Sequence, residues 1–149
     1  AVYQIRSIAK RVDFLSIGSN DLTQYLFAVD RNNVRVSYLY KALHPAILLV
    51  LMEICEAGKN AKIPVHICGE IAGNPLATIV LLAMGVNCLS MSTHAIPLVR
   101  KVIQKFRMSD SEKILAKTLS YESTGEVREY LTSVLAERGL ADLINPGHH

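Results

Sequence analysis

Three short β-type runs alternate with stretches of helical periodicity: Phe14-Leu15-Ser16-Ile17-Gly18, Ile63-Pro64-Val65-His66-Ile67-Cys68 and Val86-Asn87-Cys88-Leu89-Ser90-Met91-Ser92. Strands separated by helices return in the same direction, so this alternation calls for an α/β fold built on a parallel sheet. Between the first two runs, Ile47, Val50, Leu51 and Ile54 form a helical stripe after Pro45, and Gly58 is placed to end the helix. After the second run, Asn74 and Pro75 supply an N-cap and first residue, Leu76, Ile79, Val80 and Ala83 the apolar face, and Gly85 a left-handed stop. After the third, Thr93 is placed to cap a helix with Pro97 in its first turn and a buried face of Ile96, Val99, Ile103 and Phe106.

The remainder reads as a helical hairpin. Capping boxes are expected at Ser109 to Glu112 and Ser123 to Glu126, and the second helix carries Val127, Tyr130, Leu131, Val134 and Leu135 before Gly139. At the other end Val2, Ile5, Ile8 and Ala9 have helical spacing with no capping residue before them, which suggests a truncated start. His148 and His149 resemble a tag remnant and are left out of the fold reading.

Composition narrows the class. Of 149 residues 50% are hydrophobic and 19% charged, against about 25% charged in an ordinary domain, so disorder is excluded and extensive burial is implied. The longest apolar stretch, Ala46 to Met52, falls short of the roughly 18 residues of a membrane span, and the first residues form neither a signal nor a transit peptide. A net charge of +3 with basic and acidic residues interspersed gives nucleic-acid binding little support. Cys55, Cys68 and Cys88 are odd in number and lack a CxxC pair, which fits a reducing, cytoplasmic setting.

A parallel sheet either lies open with helices on both faces or closes as an eight-stranded barrel of ~250 residues, and three strands complete neither. The expectation is the C-terminal part of a larger α/β protein. Ligands in such folds sit at the carboxyl ends of the strands. The first run exits into Gly18-Ser19-Asn20-Asp21, followed by Gln24 and Asp30-Arg31; the second exits into Cys68-Gly69-Glu70. Asp21 is a hard oxygen ligand suited to Mg²⁺, and Asn20-Asp21 serves equally well as a turn or N-cap. Arg31 suits a phosphate, or is a solvated loop residue. Cys68 carries a thiol, a kind of group mostly protonated at neutral pH, which can protonate a carbanion-like carbon with Glu70 beside it, or is another small buried hydrophobe. His66 reads as a core histidine, His44 as a capping residue before Pro45 and His94 as surface.

The stretch FLSIGSNDLTQYLFAVDRNN (14–33) resembles the signature of the phosphoenolpyruvate-utilising enzymes, and HICGEIAGNP (66–75) resembles their second signature, in the expected order and spacing. AVDRNN, CGEIAG and LLAMGVNCLSMS are most similar to the enzyme I branch, particularly its nitrogen-related paralogue; Ile71 and Asn74 depart mildly from the common pattern. The resemblance implies that residues 1–107 are the last three βα units of a phosphoenolpyruvate-binding (β/α)8 TIM barrel, followed by a helical extension over 108–147 with 148–149 as the tag remnant. It implies binding of phosphoenolpyruvate with Mg²⁺, phosphoryl transfer to a histidine on a separate N-terminal domain and then to a phosphocarrier protein, and a homodimeric parent. Carried over by motif position, Asp21 coordinates Mg²⁺, Asn20 and Arg31 contact the phosphoryl group, Cys68 protonates enolpyruvate to pyruvate, and Gln24 and Glu70 support them. The isolated piece is expected to be inactive. Alternatives are a barrel fragment of pyruvate phosphate dikinase or phosphoenolpyruvate synthase, or a non-catalytic self-associating module.

Overall fold

The computed structural model describes residues 1–28 and 42–144. A 3-10 turn at Val2–Gln4 leads into helix α1 (Ile5–Ala9), strand β1 (Leu15–Gly18) and helix α2 (Ser19–Phe27). Helix α3 (Pro45–Ala61), strand β2 (Val65–Cys68), a 3-10 turn at Glu70–Gly73 and helix α4 (Pro75–Ala83) follow. Strand β3 (Cys88–Ser90) and helices α5 (Ile96–Lys105), α6 (Met108–Thr118) and α7 (Thr124–Glu137) come next, before a 3-10 turn at Ala141–Leu143.

The three strands pair in parallel in the order β1-β2-β3, with Leu15 opposite Val65, Gly18 opposite Cys68, and Cys68 opposite Ser90. The sheet is one-sided. Leu15, Ile17, Val65 and Ile67 point into a core shared with Ile47, Leu51, Ile54, Ile79 and Val80, whereas Ser16, Gly18, Cys68, Cys88 and Ser90 are exposed. This follows from the period of two along each strand, which sends alternate side chains to opposite faces.

Asn74 caps α4 as its sequence predicts, its side chain accepting the Leu76 N–H at 3.0 Å, and Gly85 adopts φ +92° just beyond the helix. Helix α4 is apolar almost all round because it meets α5 on one side and α6 on another. The hairpin α6–α7 therefore docks on the same core, to which it contributes Ile114, Leu115, Val127, Leu131 and Leu135. Arg138 ties its ends together: it bonds Asp110 at 3.0 Å and the Lys105 carbonyl at 3.2 Å, and lies over the Phe106 ring.

Several local expectations give way. Helix α3 runs past Gly58 to Ala61 and ends at Lys62, which takes the left-handed φ of +57°. Gly58 instead marks where α3 presses on β2, since a Cβ there would collide with the Val65 side chain. Helix α5 starts at Ile96 without a side-chain cap from Thr93 and buries Val99 and Val102, leaving Ile96 and Ile103 about two-fifths exposed at 43% and 40%. Its core stripe is thus rotated from the one expected, with Val102 in the core and Ile103 outside it. The Ser109 capping box does not form; extended Arg107 starts α6 at Met108, which places Ser109 inside the helix. The Ser123–Glu126 box does form, with Ser123 Oγ accepting the Glu126 N–H and Glu126 accepting the Ser123 N–H.

Replacing Asn74 with alanine is expected to lower stability by about 1 kcal/mol through loss of the cap, read as a smaller urea midpoint for the 149-residue chain. The Glu126 carboxyl is held below its ordinary value of 4.5 by its bonds from the Ser123 hydroxyl and the Ser123 and Glu122 N–H groups. Its stabilisation is therefore complete above that ordinary value and lost as pH falls through the lowered folded value. Thermal melts from about pH 6 down to about pH 3 should show a steeper loss for wild type than for Glu126→Gln; parallel curves would contradict this.

Candidate active site

The polar residues cluster where β1 and β2 end. Gly18 leaves β1 with φ −78° and ψ 90° and the chain turns at once into α2, so Ser19, Asn20 and Asp21 form that helix's first turn. Asn20-Asp21 is thus a helix start, with Gly18 in the capping position. A Cβ on Gly18 would point to the open face of the sheet and lie 3.8 Å from Asp21 Oδ2. Gly18 is in register with Cys68, which is exposed on that same face. The carboxylate of Asp21 and the thiol of Cys68 therefore share one face at adjacent strand ends, with strands about 4.8 Å apart.

The two exits are stitched together. Ser19 Oγ donates to the Cys68 carbonyl at 2.7 Å, and the Glu70 N–H donates to Asn20 Oδ1 at 3.2 Å. Gly69, between them, adopts φ +105° and ψ −172°, a region essentially reserved for glycine. The Cys68 S–H donates to the Ile17 carbonyl at 3.5 Å, and Gln24 Nε2 approaches Asp21 Oδ1 at 3.5 Å. Glu70 is exposed beside Cys68. Asn20, Asp21, Gln24, Cys68 and Glu70 are accordingly brought together, while Arg31 and Asp30 lie outside the described residues.

The three cysteines separate by environment. Cys55 is buried in α3, and burial pushes its thiol up to about 12; Cys68 and Cys88 are exposed. Reading Cys68 as a buried hydrophobe is therefore set aside. His66 is not a core histidine either: it is only partly buried on the open face, stacked on Phe14 with ring centroids 5.5 Å apart. His44 caps α3 through Nδ1, which accepts the Ala46 N–H at 3.1 Å, and His94 is a surface residue near Ser92. Among the described residues no group of three or more His, Cys, Asp or Glu is arranged to hold a metal. Asp21 by itself supplies one hard carboxylate oxygen donor, which matches the one or two that Mg²⁺ takes alongside phosphate and water. Ser19 and Gly69 did not stand out as functional in the sequence; the only signal was their position at two strand exits.

The chain is an α/β protein with a one-sided parallel sheet that carries a carboxylate and an exposed thiol at its carboxyl ends, the end at which α/β proteins bind ligands. The chain belongs to the family of PEP-utilising enzymes, whose PEP-binding domain matches residues 1–108. It is 36% identical over 146 residues, 98% of this chain, to the phosphoenolpyruvate-dependent phosphotransferase system protein of Escherichia coli, covering 20% of that protein. It is 36% identical over 140 residues, 94% of this chain, to the phosphoenolpyruvate-protein phosphotransferase of Haemophilus influenzae, and 48% identical over 126 residues, 84% of this chain, to that of Priestia megaterium. These two matches cover 24% and 22% of the relatives, so the chain spans about a fifth to a quarter of the curated relatives it resembles. No described helix is long and apolar enough to cross a membrane.

A thiol reagent applied to the native 149-residue chain should label two cysteines, Cys68 and Cys88, and reach Cys55 only on unfolding. Peptide mapping that finds Cys55 modified at the native rate would contradict this placement.

Proposed function

We propose that this chain is part of a cytoplasmic phosphoenolpyruvate-protein phosphotransferase and forms the last three βα units of its (β/α)8 barrel. The observation that carries the reading is the pairing of Asp21 and Cys68 on one open face within a PEP-binding domain. The barrel is supported by strands that follow one another in sequence order with helices on a single face, as a wound barrel wall requires. A parallel sheet in an open doubly wound fold is covered on both faces, whereas this one leaves a polar face bare. The nitrogen-related branch is favoured by the AVDRNN and CGEIAG segments.

In this reading phosphoenolpyruvate binds above β1 and β2. Its phosphorus–oxygen bond breaks as a histidine nitrogen of a separate domain takes the phosphoryl group, and the electron pair remains on the enolate oxygen. The enolate then takes the Cys68 thiol proton at C3, the S–H bond breaks, and pyruvate forms; solvent reprotonates the thiolate. Asp21 would hold Mg²⁺, which when bound neutralises charge on the phosphoryl oxygens. Asn20 and Arg31 would contact the phosphoryl group, and Gln24 and Glu70 would orient Asp21 and Cys68. The phosphorylated histidine then passes the group to a phosphocarrier protein. The 149-residue piece lacks the acceptor domain in this reading and is inactive alone.

The test uses the full-length parent supplied with phosphoenolpyruvate and Mg²⁺. One equivalent of pyruvate should appear without a carrier and turnover should begin on adding a phosphocarrier, while Cys68→Ala slows pyruvate formation by ~10²–10⁴-fold. Turnover that requires AMP and phosphate would instead assign a dikinase or synthase.

A further inference from the structure

We propose that Ser19 is the positioning residue of the proton-transfer step, clamping the end of β2 so that the Cys68 thiol is held in a fixed relation to Asp21. The inference rests on the phosphotransferase reading above. Ser19 is 3% exposed, so its hydroxyl does not reach substrate; it spends its single proton on the Cys68 carbonyl, 2.7 Å away and 49 residues distant in the chain. The Ser19 carbonyl is itself fixed by the Thr23 hydroxyl at 2.8 Å, within a side chain only 1% exposed. The clamp is thus anchored in the body of α2 and not in a loop.

Gly69 completes it. At φ +105° its backbone turns the chain away from β2 immediately after Cys68, and a Cβ at that position would run into Ser19 Oγ and the Asn20 side chain. Ser19 and Gly69 therefore require one another: the hydroxyl occupies the space that only a glycine leaves open. One residue further, the Glu70 N–H is held by Asn20 Oδ1. Three consecutive residues of one helical turn divide the work, with Ser19 holding residue 68, Asn20 holding residue 70 and Asp21 facing the open site. A strand end frays unless something fixes it, and here the fixing group is rigidly joined to the candidate metal ligand. A general acid must sit within hydrogen-bond reach of the carbon it protonates, and a displacement of about 1 Å can cost ~10²-fold.

Two half-reactions of the full-length parent separate positioning from general damage. Phosphorylation of the acceptor histidine by phosphoenolpyruvate is read in a single turnover. Exchange of pyruvate methyl hydrogens with deuterated water, in the presence of Mg²⁺, is read by NMR and reports proton transfer at C3. Ser19→Ala should depress exchange at least about tenfold more than phosphorylation, and Ser19→Thr, which keeps the hydroxyl, should restore most of the ratio. Equal losses in both half-reactions, or no rescue by threonine, overturn the clamp while leaving the phosphotransferase reading in place. A wild-type protein silent in both assays overturns that reading and the clamp with it. If Ser19→Ala does not fold, Ser19→Cys, a near isostere with a much weaker donor, gives the same contrast; failure of both to fold makes Ser19 a folding residue and overturns the proposal.

Discussion

Everything at the candidate site depends on the register of β1 against β2. Gly18 opposes Cys68, and that single pairing decides that the first turn of α2 lands beside the end of β2. A slip of β1 by one residue would turn Leu15 and Ile17 out of the core, so the register is enforced by burial of the opposite face. Packing underneath the sheet thereby sets the chemistry above it. The cross-links from Ser19 to Cys68 and from Asn20 to Glu70 then refine a pairing that the core has already chosen.

The core owes its continuity to α4. Ile79, Val80 and Leu81 are fully buried because the helix lies between the sheet side and the α6–α7 hairpin. A helix that apolar has no solvent face to orient it, and its ends do that work instead, with Asn74 capping one and Gly85 closing the other. The segment between Cys68 and Pro75 is therefore held at both ends: by Ser19 and Asn20 at the strand exit, and by the capped start of α4.

Much of this was legible in the residues. Strand and helix order and the Asn74, His44 and Ser123 caps follow from local patterns that tertiary packing does not alter, and the placement of Asn20, Asp21 and Cys68 at strand ends follows from strand order. What was not legible depended on neighbours. Gly58 reads as a helix stop because glycine usually is one, yet it serves the close approach of α3 to Val65. The buried face of α5 is set by the core beneath it, which takes in Val102 and leaves Ile103 outside. Ser109 looked like a cap only as long as the abrupt restart of the chain at Arg107 was unseen. The pairing of Ser19 with Gly69 joins residues 50 positions apart, and no local pattern announces it. The strand's period of two puts His66 on the face of Cys68, and because the face bearing these two residues is not covered, His66 is only partly buried.

The open face itself explains why the site sits at one end of the sheet. Its side chains form rows across the three strands: Ser16, His66 and Cys88 in one, Gly18, Cys68 and Ser90 in the next, nearer the carboxyl ends. The lower row is capped by bulk, since His66 stacks on Phe14. The upper row contains nothing larger than a cysteine. The row of small side chains lies beside the first turn of α2, where Asp21 is exposed. If the sheet is part of a barrel, as proposed, a layer of Gly, Cys and Ser would leave room for a small ligand where larger side chains would fill the interior. Such a row contributes little burial to the sheet, and the thiol among its side chains is the group that would give up a proton in the proposed reaction.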